Sequence, residues 1–266
     1  NQLKMPTKFA DIAKGPTDLL NDDYTSKVSL KCKKTAGITA VTIETTRGSG
    51  GALTSKIGTK FSYAGLSIDK VQLTADGGQV LETSLVPASG VKLSFKGNKG
   101  ADLGIDYTSG NFIGSATLDV KEMSQLSASG CLGLPSGVNV GGSATYSMAG
   151  KTGLSAFNVA TSYSSGPLFA SVTTASKLSQ VNVDLLYKVN DDLSLASSTT
   201  HSSSKTCDVL AIGGAYKAPI GVLKAKVGGD GLISACITKE VAPKVTVTAS
   251  GSASASDLSN FKYGLG

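Results

Sequence analysis

From Tyr24 to Gly266 the sequence alternates between apolar and polar residues, and this period of two constrains the fold more than any other feature. Val28, Leu30 and Cys32 share one parity while Lys27, Ser29, Lys31 and Lys33 share the other. The same holds for Val91, Leu93 and Phe95 against Lys92, Ser94 and Lys96. It holds again for Val181, Val183, Leu185 and Tyr187 against Gln180, Asn182, Asp184 and Lys188. Side chains two apart lie on one side of a pleated strand, so each segment reads as a β-strand with one apolar and one polar face. Turn clusters such as Gly97-Asn98-Lys99-Gly100 and Asn190-Asp191-Asp192 punctuate the series. Roughly nineteen segments of about 13 residues, turn included, fill the stretch, and a tilted transmembrane strand needs about 9–11.

An all-β membrane protein, a single closed transmembrane β-barrel, therefore fits the pattern. A soluble sandwich or solenoid would also alternate. The core of a sandwich, about 10 Å thick, needs large inward residues, whereas faces such as Gly114, Ala116 and Leu118 are small. The polar faces carry Ser, Thr and Lys on almost every segment, as the wall of a wet channel would. No linker interrupts the series, so residues 1–266 are expected to form one barrel domain, with a helix over 6–20 and strands over 24–266.

Composition agrees with a chain that hides little from lipid. Charged residues are 17% of the 266, against about 25% in an ordinary soluble domain. Tryptophan is absent, so the 8 tyrosines and 7 phenylalanines must supply any interfacial belt. No run of about 18 apolar residues exists for a membrane helix, and residues 1–20 offer no continuous apolar stretch of the kind a secretory signal needs. The four cysteines, Cys32, Cys131, Cys207 and Cys236, are far apart and read as ordinary thiols. The net charge of +6 points to an anionic partner without naming it.

Residues 6–20 form the one helical stretch, with Phe9, Ile12, Pro16 and Leu19 at helical spacing. Gly15-Pro16 is expected to kink or break it. A short amphipathic helix of this kind needs a surface to lie against.

Parity puts Lys27, Lys31, Lys33, Lys56, Lys60, Lys92, Lys96, Lys188, Lys224 and Lys226 opposite the apolar set. A lysine facing lipid at the bilayer midplane costs about 2–4 kcal/mol, so these are expected to line the lumen and favour anions. Those at strand ends would lie among headgroups or in water instead. Asp69, in LSIDKVQL, has two readings. If Val71 and Leu73 set the outer face it is an intramembrane carboxylate facing lipid; if Leu66 and Ile68 do, it faces the lumen. His201, the lone histidine, reads as a turn residue, since nothing in the sequence points to a triad or a metal site. No GxxxxGK[ST] loop exists, and no aromatic interleaving supports nucleic-acid binding. No catalytic residue, metal or cofactor is expected.

Phe9-Ala10-Asp11-Ile12 with Lys14, Asp18 and Leu19-Leu20 resembles the N-terminal helix of the voltage-dependent anion channels, the mitochondrial porins. Gly90-Val91-Lys92-Leu93-Ser94-Phe95 is similar to that family's sixth strand, Tyr187-Lys188-Val189-Asn190 to a late hairpin, and Lys262-Tyr263-Gly264-Leu265-Gly266 to its last strand. The resemblance implies a barrel of about 19 strands, with strands 1 (Tyr24–Thr35) and 19 (Leu258–Gly266) parallel and the helix inside the pore. It implies a passive pore of the mitochondrial outer membrane, embedded in the lipid bilayer and passing small anionic metabolites and nucleotides such as ATP and ADP. It further implies that Lys14 and Lys92 contact the anion, and it allows a homo-oligomer or association with other membrane complexes. Where the family carries a glycine-rich connection after the helix, this chain has Asn21-Asp22-Asp23, which weighs against a freely moving helix. Two alternatives stay open: the related protein-translocase pore, and a soluble β-rich binding protein.

Overall fold

The computed structural model describes residues 6–48, 50–203 and 209–266, so Cys207 lies outside the described residues. The chain starts with a 3-10 turn, Phe9–Asp11, and a short helix α1, Lys14–Asn21. The expected helix over 6–20 is therefore two pieces, and proline starts the second rather than ending it. Pro16 lies in the first turn, where a backbone N–H has no partner within the helix and its loss costs nothing. The first bond of α1 runs from Thr17 N–H to Ala13 C=O at 3.2 Å, and Asp22 N–H closes on Asp18 C=O at 3.0 Å.

Among the described residues nineteen strands follow: β1 Val28–Ala36, β2 Thr39–Arg47, β3 Leu53–Tyr63, β4 Leu66–Thr74, β5 Gln79–Ala88, β6 Val91–Gly97, β7 Ala101–Ser109, β8 Phe112–Asp119, β9 Gln125–Gly133 and β10 Val138–Ser147. They continue as β11 Gly153–Ser165, β12 Leu168–Ala175, β13 Gln180–Lys188, β14 Leu193–Ser202, β15 Val209–Ala218, β16 Gly221–Gly228, β17 Leu232–Ala242, β18 Val245–Ser254 and β19 Asp257–Leu265. All belong to one sheet, in which each strand bonds the next along the chain and β19 returns to β1. A meander of odd strand number brings its last strand back parallel to its first. Val28 accordingly pairs with Leu265 in parallel, and Leu265 N–H donates to Lys27 C=O at 3.0 Å. The result is a closed β-barrel with no free edge, which hydrocarbon demands because an unpaired backbone group there costs several kcal/mol. Strand 1 starts at Val28, so Tyr24–Lys27, expected in it, instead form the connection from the helix. His201 lies in β14 opposite Val181, a strand position and not the expected turn. Among the described residues no helix is long and apolar enough to cross a membrane.

By its contacts the chain divides into two units: Asn1–Phe9, Ser29–Pro135 and Gly141–Phe157, and Ala10–Val28, Ser136–Val140 and Asn158–Gly266. In the first, the outer face is apolar and exposed: Leu30, Leu53, Leu93, Leu103 and Ile105 all project from it. Cross-strand register keeps them together, with Leu93 opposite both Leu85 and Ile105. Water would not tolerate so large a continuous apolar surface, whereas lipid does. In the second unit Val183, Leu185, Leu195, Ile212 and Val227 make the outer face. The inner side is small and polar, with Ser162, Ser171, Asp184, Ala196 and Ser234 all buried.

Exposed tyrosines lie at or near strand ends: Tyr63, Tyr107 and Tyr146 close β3, β7 and β10 in the first unit. Tyr163, Tyr187, Tyr216 and Tyr263 do so on β11, β13, β15 and β19 in the second. An amphipathic ring repeated at strand ends is what a membrane–water interface favours, and here it replaces the missing tryptophan.

Candidate functional site

The inner face is where charge accumulates. In the first unit Lys31 and Lys33 of β1, Lys56 and Lys60 of β3 and Lys70 of β4 line one concavity of about 390 Å³, together with Glu44, Asp69 and Gln72. Strand parity explains the placement: Lys56 lies opposite Glu44 and Lys60 opposite Ala40, while Ile57 pairs with Ile43 on the outer face. Lys92 and Lys96 of β6 share the inner parity with Ser94, opposite Asp106 and Asp102 of β7.

Carboxylates interleave with these lysines. Lys56 Nζ lies 2.9 Å from Glu44, Lys96 Nζ 4.0 Å from Glu82, and Lys8 Nζ 2.7 Å from Asp106. Asp69 takes two: Lys60 Nζ at 3.7 Å and Lys92 Nζ at 4.0 Å. All are partly exposed, so each pair stabilises by no more than about 0–1 kcal/mol. Their larger effect is on the field, which is weaker than the lysines alone would make it.

Asp69 thus faces the lysines and not lipid, which corrects the reading of it as an intramembrane carboxylate. The cause is a β-bulge. Leu66, Ile68, Val71 and Leu73 all face outward, with Ile68 opposite Phe61 and Val71 opposite Thr59. Asp69 and Lys70, between them, both turn inward. Strict alternation from Leu66 and Ile68 places Lys70 on the outer face, and the bulge returns it to the inner one. The legible signal was a phase slip: two consecutive charges between two apolar pairs of opposite parity.

In the second unit the inner face of β13–β15 is a seat for α1. Leu19 and Leu20 pack with Ala196, and Leu186, Ala211 and Ala215 surround them. Gly213 completes the seat: a Cβ there would lie 2.9 Å from Leu20 Cδ2. In the first unit Gly141 does the same for Phe9, whose Cδ2 would lie 3.0 Å from an added Cβ. Beneath α1 this parity is small or apolar, and its lysines, Lys188 and Lys217, stand near the ends of β13 and β15. The alternation holds there, and the small residues on its polar parity are a docking surface that no local pattern in the sequence marks.

The connection from α1 to β1 is bound to the same unit at successive residues. Asp23, at φ +74°, places Oδ2 2.6 Å from Lys224 Nζ, whose side chain is only 16% exposed. Lys226 Nζ sits 4.7 Å from the centroid of the Tyr24 ring. The Tyr24 hydroxyl is buried with no hydrogen-bond partner among the described residues. Burial first, then Cys236 and Asp23 beside it, pushes the phenol well above its ordinary pKa, so Lys226 meets a neutral ring face. Thr25 N–H donates to Ser250 Oγ at 3.1 Å, and that hydroxyl donates to Thr25 C=O.

The remaining expected residues are dispersed. Lys224 and Lys226 face inward on β16, opposite Ala215 and Gly213. Lys188 shares the parity of Leu186 and ends β13 opposite Ser194. Lys27 lies before β1, off the sheet's alternation. Lys14 opens α1 and pairs with Asp18 at 3.3 Å.

The profile of the eukaryotic porin family matches residues 5–266. The mitochondrial outer membrane protein porin 5 of Oryza sativa subsp. japonica is 26% identical over 261 residues, covering 94% of this chain and 92% of that protein. Among solved structures, a mutant porin of Rh. blastica is 14% identical, covers 89% of this chain and 94% of its own, and superposes with a TM-score of 0.49. OmpT of Vibrio cholerae is 13% identical, covers 85% and 83%, and has a TM-score of 0.38. At such scores the fold rests on this chain's own strand pairing. The chain belongs to the eukaryotic porin family and is a pore-forming channel of the mitochondrial outer membrane.

Proposed function

We propose that the pore passes small anions in preference to cations, admits ATP, ADP and similar metabolites, responds to voltage, and uses the whole chain as one barrel domain. The observation that carries this reading is the set of inward lysines on β1, β3, β4 and β6, gathered around the concavity that Lys31, Lys33, Lys56, Lys60 and Lys70 line. An ammonium on a flexible stem is a hydrated point charge, and it attracts an anion without gripping it. With a screening length of about 8 Å at physiological salt, such charges bias which ions enter and still let them leave. The interleaved carboxylates keep that bias weak, as a diffusion pore for metabolites requires. Family membership and the resemblance to voltage-dependent anion channels support the voltage response. A charge displaced across the membrane potential couples to it by about 2.3 kcal/mol per 100 mV.

Planar-bilayer recording under a salt gradient, repeated with ATP as the permeating anion, tests the reading. Wild-type protein is expected to show an anion-directed reversal potential. Converting Lys31, Lys92 and Lys96 together to glutamate is expected to move that potential toward cations, and an unchanged value would sink the assignment of the lumen field to these residues.

A further inference from the structure

The geometry points to Asp69 as a residue that sets the ion selectivity of the pore, by holding two lumen lysines from a bulge of which it is the extra residue. This rests on the reading of the pore as anion-preferring.

Between Ile68 and Val71, strand β4 has two residues where each neighbour has one: Lys60 on β3 and Glu82 on β5. Lys70 pairs with Glu82, and Asp69 is left without a cross-strand partner. The insertion turns its carboxylate to the inner face, where a regular strand would carry a single side chain. Ser84, buried and on the inner parity of β5, donates its hydroxyl to Asp69 Oδ2. The acid is the least exposed member of its group, at 28% against 64% for Lys60 and 46% for Lys92.

Lys92 depends on this arrangement. Its register partner is Asp106, but Asp106 is held by Lys8 at 2.7 Å. Among the described residues Asp69 is the only carboxylate within 4.0 Å of either Lys92 or Lys60. Glu82 and Glu44 each meet one lysine of the sheet. Removing Asp69 therefore deletes one negative charge and also releases two ammonium groups into the lumen. Removing Glu82 releases one.

Asp69→Asn keeps size and the Ser84 contact. It is expected to raise the anion-to-cation permeability ratio about two- to fivefold, the factor that about 0.4–1 kcal/mol converts to at tenfold per 1.4 kcal/mol. Glu82→Gln is expected to raise it less, and Asp69→Glu is expected to restore the wild-type ratio. Deleting Asp69 outright restores strict alternation on β4, so the barrel is expected to form with a raised ratio like that of Asp69→Asn. A ratio for Asp69→Asn no higher than that of Glu82→Gln overturns the proposal, as does a wild-type ratio in the deletion variant. A wild-type pore without anion preference would overturn the functional reading instead. The Asp69 assignment is then judged by the difference between variants alone.

Discussion

Replacing Leu20 by alanine is expected to release the N-terminal helix from the barrel wall. Leu20 is 2% exposed and Leu19 8%, both packed on Ala196 with Leu186, Ala211 and Ala215 around them. Truncating a buried leucine costs about 2–5 kcal/mol. The helix has little to set against that loss. It spans 8 residues, whereas an isolated helix shorter than about 12–15 residues is marginal even in favourable sequences. It is therefore expected to melt when undocked instead of sliding to a new seat. Hydrogen exchange reads this directly. Amides of residues 17–21 are expected to lose protection about 30-fold or more, the factor that 2 kcal/mol represents, while β13–β15 keep theirs. Unchanged protection in Leu20→Ala would show that the seat does not hold the helix. Gly213→Ala approaches the same seat from the wall. Its methyl would crowd Leu20 Cδ2, but it would also lie 2.7 Å from the Ala225 carbonyl oxygen, so β15–β16 pairing is expected to shift as well.

The sheet was legible because lipid outside and water inside impose opposite demands on alternate residues, and most strands obey them; register irregularities among the described residues fall along β3–β6 and β17–β19. The approximate segment count and the inward lysines of β3 and β6 follow from that one rule, whereas the parallel closure is what the family resemblance implies. What escaped is where a second demand overrides it. At Asp69-Lys70 an inserted residue shifts the phase, and no strictly periodic reading assigns both side chains to one face. On β14–β15 the polar parity carries Ala196, Ala211, Gly213 and Ala215, because the space is filled by α1 and not by water. That is a long-range contact, between residues about 20 and about 200 along the chain, which no local pattern encodes. Pro16 misled for a local reason: its effect depends on whether it stands in the first turn or later, and α1 begins at Lys14 rather than near Thr7. Parity counts lysines on a face but not the carboxylates that cross-strand register sets beside them.

Breaking the ion pair between Asp23 and Lys224 is expected to loosen the connection between helix and barrel, and thereby to increase the voltage response. Asp23 holds a left-handed backbone, φ +74°, which glycine adopts without strain and aspartate tolerates at a cost. The chain keeps the aspartate there, and its carboxylate lies 2.6 Å from an ammonium that is largely buried. Asp23→Asn removes the charge and keeps a side chain that tolerates the left-handed backbone, so any loosening it causes comes from the lost pair. Lys224→Gln removes the other partner and leaves the backbone untouched. With Asp23 38% exposed, the pair lies between a surface bridge of about 0–1 kcal/mol and a buried one of about 3–5, so each single change is expected to cost about 1–2 kcal/mol. In bilayer recordings each variant is expected to leave the fully open state at lower voltage than wild type. The double variant is expected to add less than 0.5 kcal/mol to either single change, because both remove one interaction. Additive effects would mean that Asp23 and Lys224 act through separate contacts. Tyr24 on Lys226 and Thr25 on Ser250 would then carry the connection. Wild-type voltage dependence in both single variants would show that the connection is already rigid without the pair.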